Sequence, residues 1–379
     1  MKKLHEEARM SMTGTRPAPA PAPAPAPGAP RLAPAALSGF AARLFAAAGL
    51  APGMAESMGR LLVLTDMMGR HTHGLAQAGT YLAEIESGGM LGEGEPEVLR
   101  DSGATLVWDG GYRPGLWLVE QAMTEALARL KQHGVVTVAL RRSHHIGCLA
   151  ALARQATEAG CFVMLASSGP HSRIVAPFGG RQALFSPNPF AIGFPAGAAP
   201  VLVDISASIT TVSMTRQKAA AGERFEHPWL LDAAGHPTTD PAVMEHPTER
   251  GSLMLLGGAE AGHKGFGLAL MVEALTQGLS GHGRRDAPGR WGASVYLQLI
   301  EPDAFAGRDA FAAQMEFLAE ACRANAPIDP DRPVRLPGDQ AARGIARAEA
   351  EGLALPEKTG AALRHWAAKL GVAVPAGLG

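Results

Sequence analysis

Apolar and polar positions recur with helical spacing in the first part of this chain. The spacing holds over residues 37–48 and again over about 54–68, and a turn at Pro52 and Gly53 separates the two segments. This pattern predicts two amphipathic helices, each with one apolar face turned to a core.

The middle of the chain alternates short apolar runs with helical segments. A strand is predicted over TLVWDG (105–110), and the next helix ends at Gly134. The runs VVTVAL, CFVMLAS and PVLVDIS then follow, separated by turns and by one alanine-rich helix. This alternation predicts an α/β fold in which helices pack on a sheet.

The last third of the chain is mostly helical in pattern. A helix is predicted over 263–280, a strand over SVYLQLI (294–300), and three further helices towards the C-terminus. At the other end, a Pro/Ala tract follows Arg16 and favours an extended conformation that packs no core. We therefore divide the chain into a disordered tail (1–33), an N-terminal helical part of the substrate lobe (34–110), an α/β domain (111–300) and a C-terminal helical segment packed on the N-terminal lobe (301–379).

Composition narrows the classes of function. The 379 residues are 47% hydrophobic and 18% charged, and the formal net charge is -1, which is typical of a globular protein and argues against a nucleic-acid partner. The three cysteines have no metal-ligand spacing, and no apolar run is long enough to span a membrane. We expect a cytoplasmic protein, long enough to form two lobes, whose partners are a small-molecule substrate and a second copy of itself.

Two histidine pairs are the first candidates for chemistry. They lie in DMMGRHTHGLAQ, which contains His71 and His73, and in RRSHHIGCLA, which contains His144 and His145. Histidine suits acid/base catalysis because its ordinary pKa is close to neutrality. The plainer interpretation is that these are loop or packing histidines.

Three further segments could bind a ligand. Asn188 lies between two prolines, and Asp204 ends a predicted strand, where it could equally cap a helix. The segment GHKGFG opens a helix, whose N-terminus together with Lys264 could bind an anion. Its glycine spacing is not the Rossmann fingerprint, and close helix packing is an equal explanation.

Taken together, these segments resemble the malate/L-lactate dehydrogenase type 2 family over about residues 37–370. The family segment D-x-x-G-x-x-S-H-G is matched by Asp66, Gly69, Thr72, His73 and Gly74, and its S-x-H-x-G by Ser143, His145 and Gly147. The family's T-N-P loop is matched by Pro187, Asn188 and Pro189, and its strand tip by Asp204 and Ser208. The family's glycine-lysine helix start is matched by Gly262, Lys264, Gly265, Gly267 and Leu268.

The resemblance implies a mixed NAD(P)-binding sheet that is not a Rossmann fold, a second, largely helical lobe and a homodimer. It implies hydride transfer between NAD or NADP and a small 2-hydroxy acid or 2-keto acid, with no metal ion. His73 or His145 would transfer the proton, and Thr72 and Asp204 would support it. The cofactor would be held by His145, Ser186, Pro187, Asn188, Pro189, His263, Lys264 and Gly265.

Two departures from the family bear on the substrate. Gln77 stands where the family commonly has an arginine for the substrate carboxylate, so we expect another cation to replace it, with Arg70, Arg142 and Arg173 as candidates. Pro187 replaces the threonine of the T-N-P loop and removes one donor. The resemblance also assigns Gln77, Tyr81 and Ser168 to the substrate.

Three alternatives stay open at this point. Relatives within the family reduce cyclic imino acids such as pyrroline- or piperideine-2-carboxylate. The H-x-H pair of His71 and His73 would suit a metal-dependent hydrolase, although a helix rather than a strand is predicted before it. Finally, the loss of the family arginine at Gln77 would fit an inactive scaffold.

Overall fold

The computed structural model describes residues 29–378. The described part contains ten α-helices: α1 (Pro34–Ala47), α2 (Pro52–Met67), α3 (Ala78–Glu86), α4 (Gly115–His133), α5 (Leu149–Glu158), α6 (Val212–Ala221), α7 (Gly258–Glu273), α8 (Arg308–Arg323), α9 (Asp339–Glu351) and α10 (Glu357–Leu370). A π-helical turn, Ala274–Gly278, extends α7. The predicted helices near the N-terminus and in the last third of the chain are confirmed.

Twelve strands in the described residues form three sheets. They are β1 (Arg31–Leu32), β2 (Glu97–Asp101), β3 (Thr105–Asp109), β4 (Val135–Ser143), β5 (Phe162–Ser168), β6 (Pro189–Phe194), β7 (Val201–Ser206), β8 (Leu230–Leu231), β9 (Pro237–Thr238), β10 (Ser252–Leu253), β11 (Ala293–Ile300) and β12 (Leu353–Ala354). The largest sheet has seven strands in the order β2-β3-β4-β11-β5-β6-β7. Only β3 and β4 are parallel within it, so the predicted mixed α/β sheet is confirmed.

Helices cover both faces of this sheet, which explains why its central strands are almost continuously apolar. In β11, Val295, Leu297 and Leu299 belong to the main core together with α4 and α5. Tyr296, between them in sequence, packs with Val272 of α7 on the opposite face. Successive side chains of a strand point to opposite faces, so β11 contributes side chains to a hydrophobic core on each face of the sheet.

Helices α1, α2, α3, α9 and α10 form a second, helical layer. Helices α1 and α2 pack on each other through Leu37, Phe40, Leu44, Met58 and Leu62, all of which are buried. The C-terminal helices α9 and α10 pack on α2 and on α1 and α3. Within the C-terminal segment, α9 and α10 thus pack on the N-terminal helices, whereas α8 packs through Ala319 on Ala196 and Val201 at β7.

Two predicted boundaries differ from the structure. Arg31 and Leu32 pair with β12, and Leu32 is buried, so ordered structure begins before residue 33; the predicted tail up to residue 28 lies outside the described residues. Strands β2 and β3 belong to the main sheet, although they precede residue 111, the predicted start of the α/β domain. A search of the described helices finds none long and apolar enough to cross a membrane.

Candidate active site

His73 lies in a loop that a buried carboxylate organises. The loop follows α2, and Asp66 near the end of that helix accepts a hydrogen bond from the Leu75 backbone N–H at 2.7 Å. The other Asp66 oxygen is 2.9 Å from His71 Nδ1. Gly74 leaves room for this carboxylate, because a Cβ at residue 74 would lie 2.4 Å from it. The Asp and Gly of the sequence motif therefore shape the loop, and His73 between them faces a cleft.

His145 lies opposite His73, at the end of β4. The two rings are 6.2 Å apart between centroids and nearly parallel. Tyr81 Oη on α3 is 2.7 Å from His145 Nδ1, and the Gly147 backbone N–H donates to the same nitrogen at 3.4 Å. An amide N–H can only donate, so this network assigns Nδ1 as an acceptor and places the proton of neutral His145 on Nε2.

Both histidines are held neutral at physiological pH. Burial, the nearby His73 and two further histidines lower the pKa of His145 to about 3. Burial also lowers the pKa of His73, an effect that the Asp204 carboxylate opposes and the Arg70 guanidinium reinforces. His73 Nδ1 is 3.0 Å from the Thr72 hydroxyl, as expected if Thr72 helps to orient the ring.

The two histidines open onto a cleft of about 460 Å³. It is formed by the loop after α2, by the segments next to β4, β5, β6, β7 and β11, and by the start of α6. Asp204 lies on its wall and accepts a hydrogen bond from the Ala150 backbone N–H of α5 at 3.0 Å. Arg70 and Arg216 also line the cleft, and within residues 29–378 neither guanidinium has an ion pair or a side-chain hydrogen bond.

Many of the predicted site residues meet at this cleft. Its lining includes Arg70, His73, Gln77, His145, Ser186, Pro187, Pro189 and Asp204. Gln77 donates its side-chain amide to the Thr72 carbonyl at 2.7 Å, so it also holds the His73 loop. Tyr81 is fully buried behind His145.

Other predicted substrate residues are engaged elsewhere. Arg142 does not line the cleft, because its guanidinium pairs with the buried Asp109 at 2.6 Å. Arg173 is exposed and is also absent from the lining. Ser168 is buried and donates to Glu273 at 2.8 Å. Of the three arginine candidates, only Arg70 is therefore brought to the histidines.

Asn188 also serves a structural network rather than the open cleft. Its side chain is fully buried and donates to Glu273 Oε1 at 2.9 Å, next to Arg284, whose Nη2 is 2.8 Å from the same oxygen. Its φ of 49° is in the left-handed region, which asparagine tolerates better than most residues. These contacts fix the loop, so that Ser186, Pro187 and Pro189 face the cleft.

The glycine-lysine motif is not at the cleft, and it does not open the helix as predicted, because α7 already begins at Gly258. His263 and Lys264 are exposed on α7 and are absent from the cleft lining of this chain. Gly265 is buried, and a Cβ there would lie 2.6 Å from the backbone of Leu256 and 3.0 Å from the Ala207 carbonyl. In this chain the motif therefore allows close packing of α7 against the end of β7, the plainer of our two explanations.

Among the cleft residues that sequence reasoning missed, three have polar or aromatic side chains suited to a ligand: His171, Arg216 and Trp291. Trp291 packs against His145 and His144, with ring centroids 5.4 and 4.7 Å apart. His171 follows a Gly-Pro turn after β5. The other candidate histidines also follow an ordered element, so this position could have identified His171. Arg216 and Trp291 carry no local signal.

Acid should destabilise the protein through these buried histidines. His144 has a pKa lowered to about 3 by burial and by nearby Arg290 and His171, and His145 has a similar pKa. The native state therefore binds fewer protons than the unfolded chain below pH ~6.5, so stability is complete above that pH and decreases below it. Each histidine held neutral should lower the free energy of unfolding by about 1.4 kcal/mol for every pH unit below that value.

Urea unfolding at pH 7.5, 6.5, 5.8 and 5.0 would measure how the free energy of unfolding changes with pH. These values lie above the range where ordinary carboxylates titrate. His144→Asn should make the free energy of unfolding depend less on pH, whereas His227→Asn, at an exposed histidine with no ion pair among the described residues, is the control. A free energy of unfolding that is constant over this range would contradict the prediction.

The fold and the cleft together define a class of protein. Two neutral histidines, a carboxylate and an unpaired arginine around one cleft suit an oxidoreductase that moves a proton to or from an anionic substrate. The profile of the malate/L-lactate dehydrogenase family matches residues 32–364. The chain belongs to this family, which confirms the predicted resemblance and the prediction of a dehydrogenase that acts on small hydroxy acids.

Individual relatives support the same conclusion. The chain is 32% identical to an L-lactate dehydrogenase of Cupriavidus necator over 343 residues, covering 88% of this chain and 95% of the relative. It is 29% identical to a Δ1-pyrroline-2-carboxylate/Δ1-piperideine-2-carboxylate reductase of Pseudomonas syringae, covering 83% and 90%. A dehydrogenase structure from Sinorhizobium meliloti superposes with a TM-score of 0.76 at 30% identity, covering 89% of this chain and 97% of that one.

Proposed function

We propose that this protein reversibly oxidises C2 of a small 2-hydroxy acid, with NAD or NADP as the electron acceptor. The observation that carries the proposal is the placement of His73, His145 and the unpaired Arg70 around one cleft. Together they offer a base for the hydroxyl proton, a donor for the same oxygen and a cation for the carboxylate.

His73 is the acid/base in this proposal. Its Nδ1–H can donate a hydrogen bond to the Thr72 hydroxyl oxygen, and this tautomer leaves the Nε2 lone pair free to take the substrate proton. The Asp204 carboxylate stabilises the imidazolium that then forms, since it favours the charged form of His73. In the reducing direction His73 returns this proton to the carbonyl oxygen.

His145 is the hydrogen-bond donor. With Nδ1 occupied by Tyr81 and Gly147, its Nε2–H is the group available to the substrate. It would polarise the C2–O bond as the carbonyl forms, and its low pKa keeps it neutral throughout. The two histidines thus have different roles.

Arg70 binds the substrate carboxylate in place of the family arginine that Gln77 replaces. It is close enough to His73 to lower the pKa of that histidine, and it has no competing acid among the described residues. A guanidinium can hold a carboxylate with two parallel hydrogen bonds and so orient C2 towards the histidines.

The rest of the cleft suits a nicotinamide cofactor. Pro187, Ile205 and Val212 provide apolar walls for a ring, and the oxygens of Ser186 and Ser206, whose protons are donated within the protein, can each still accept a hydrogen bond from its amide group. A bound nicotinamide ring supplies the acceptor for the hydride that leaves C2. The chain's part is to bind and orient both molecules and to exclude water.

A substrate and cofactor screen tests the proposal. Absorbance of NADH and NADPH would be followed across a panel of 2-keto acids and, in reverse, 2-hydroxy acids, with acetone and 2-propanol as controls that lack a carboxylate. Turnover of a 2-hydroxy or 2-keto acid but not of the controls is expected. Absence of turnover with every acid would overturn the proposal.

Reduction of a cyclic imino acid is the second candidate. The relative named a pyrroline/piperideine-2-carboxylate reductase favours it, because such a substrate carries the same carboxylate at the reacting carbon. Adding Δ1-piperideine-2-carboxylate to the panel separates the two. A kcat/KM at least tenfold higher for the imine than for any keto acid would favour the reductase.

The metal-dependent hydrolase gains no support from the histidine pair that suggested it. His71 Nδ1 contacts Asp66 at 2.9 Å, whereas His73 faces the cleft. In residues 29–378 there is no group of three or more His, Cys, Asp or Glu side chains arranged to hold a metal ion.

We further propose a homodimer in the cytoplasm. The three cysteines are free thiols, which suits a reducing compartment. Helix α7 and its π-helical extension expose Leu270, Met271 and Leu279 at 48%, 39% and 54%, an apolar surface that a second copy of the chain would cover.

Leu270→Glu should therefore convert a dimer into a monomer, because it puts a charge into the interface. Light scattering after size exclusion measures the mass directly. Val98→Glu, which changes an equally exposed residue on β2, is the matched control and should leave the dimer intact. A wild-type monomer, or an unchanged mass for Leu270→Glu, would contradict the proposal.

A further inference from the structure

The cleft contains a second cation whose role the proposed function leaves open. Arg70 and Arg216 are the arginines in its lining, and no lysine accompanies them. Within the described residues Arg216 has no ion pair and no side-chain hydrogen bond. Two neighbouring cations are already paired: Lys218 with Glu223 at 2.9 Å and Arg224 with Asp240 at 2.9 Å. An unpaired guanidinium at a cleft is available to an anionic ligand.

Arg216 is held towards the cleft by its place on α6. The helix is capped by Thr211, whose hydroxyl accepts the Met214 N–H at 3.1 Å. Val212 and Ser213 of its first turn line the cleft, and Arg216 follows them by four and three residues. Residues at these spacings share one face of a helix, so Arg216 is on the cleft side of α6.

The two arginines serve different parts of the cleft. Arg70 comes from the loop of His73 and affects the pKa of that histidine, so it is at the reacting end. Arg216 comes from α6, the helix after β7, and β7 contributes Ile205 and Ser206 to the part of the wall that we assign to the cofactor. A nicotinamide dinucleotide carries its negative charge on phosphates, away from the reacting ring, and needs a cation there.

The sequence offered Lys264 for this purpose, but Lys264 is exposed on α7 and is absent from the cleft lining. We propose that Arg216 binds a phosphate group of the nicotinamide cofactor. The inference rests on the proposed function, since it requires a dinucleotide in this cleft. The phosphate is either in the pyrophosphate, common to both cofactors, or the 2′-phosphate, which only NADP carries.

Binding can be measured without turnover, by calorimetric titration of the whole protein with NADH and with NADPH. Arg216→Gln should weaken binding about 10- to 100-fold, the usual value of one charge-assisted hydrogen bond. Arg216→Lys, which keeps the charge, should recover part of the loss. Arg224→Gln removes the same charge from an exposed pair on the same lobe and should change the dissociation constant less than twofold.

The two possible phosphates predict different results for Arg216→Gln. If Arg216 contacts the pyrophosphate, the variant binds NADH and NADPH more weakly by the same factor. If Arg216 contacts the 2′-phosphate, the variant binds only NADPH more weakly, and it loses the preference for 2′,5′-ADP over 5′-ADP. If Arg216→Gln binds both cofactors as the wild type does, or raises only the KM of the hydroxy acid, the inference is wrong while the proposed function stands. If the wild type binds neither dinucleotide, both fail.

Discussion

Replacing His73 with asparagine should lower kcat by about 10²- to 10⁴-fold in both directions, the usual effect of removing a general acid/base. Asparagine can still hydrogen-bond to the Thr72 hydroxyl, but its amide cannot take up a proton at neutral pH. KM should change little, because the carboxylate is held by Arg70. A primary isotope effect with substrate deuterated at C2 would show whether chemistry limits the rate.

His145→Asn should lower kcat by about 10²- to 10³-fold, since it removes a donor and leaves the base in place. The pH profile separates the roles further. The pKa of His73 is lowered, so the oxidation rate should be constant from pH 8 down to below 6.5 and then fall, whereas reduction should rise as the pH decreases. His236→Asn, an exposed histidine, is the control. Near-normal turnover in His73→Asn would show that the acid/base is assigned to the wrong residue.

Replacing Arg70 with glutamine should lower kcat/KM about 10- to 150-fold, mostly through KM, because one charge-assisted contact to a carboxylate contributes about 1.5–3 kcal/mol. The charge of the substrate provides a sharper test than the loss alone. Wild type should prefer lactate, or the best acid found, over its neutral amide by about the same factor. Arg70→Gln should lose this preference.

Arg173→Gln is the matched control, because Arg173 is exposed and is not among the cleft residues. Arg142→Gln is a second control of a different kind: it should lower stability through the buried Asp109 and leave the preference for the acid unchanged. If Arg70→Gln discriminates between acid and amide as well as the wild type does, another group binds the carboxylate. In that case Arg216 is the next residue to test.

The two predictions together distinguish an active enzyme from an inactive scaffold with the same fold. Loss of the family arginine at Gln77 suggested such a scaffold. In the structure Gln77 supports the His73 loop through the Thr72 carbonyl, and Arg70 offers the cation that Gln77 lacks. The change at residue 77 is therefore compatible with catalysis.

The sequence by itself determined most helices and strands and the positions of the motifs along the chain. Apolar periodicity is a local property, so α1, α2, α4 and the central strands could be predicted within a few residues. The motifs around His73, His145 and Asp204 also identified side chains that meet in the fold, because their spacing along the chain matches that of a whole family.

Only the tertiary structure decided which residues share a surface. Asn188 and Ser168 looked like ligand contacts, yet both are bonded to Glu273, which is 85 and 105 residues away in sequence. From the sequence alone, Arg142 and Arg70 are equivalent candidates. In the structure Arg142 is bound by Asp109, which lies across the β3–β4 pair, and Arg70 is not. Contacts of this kind depend on how strands pair and helices pack, and the local pattern of apolar and polar residues does not record them.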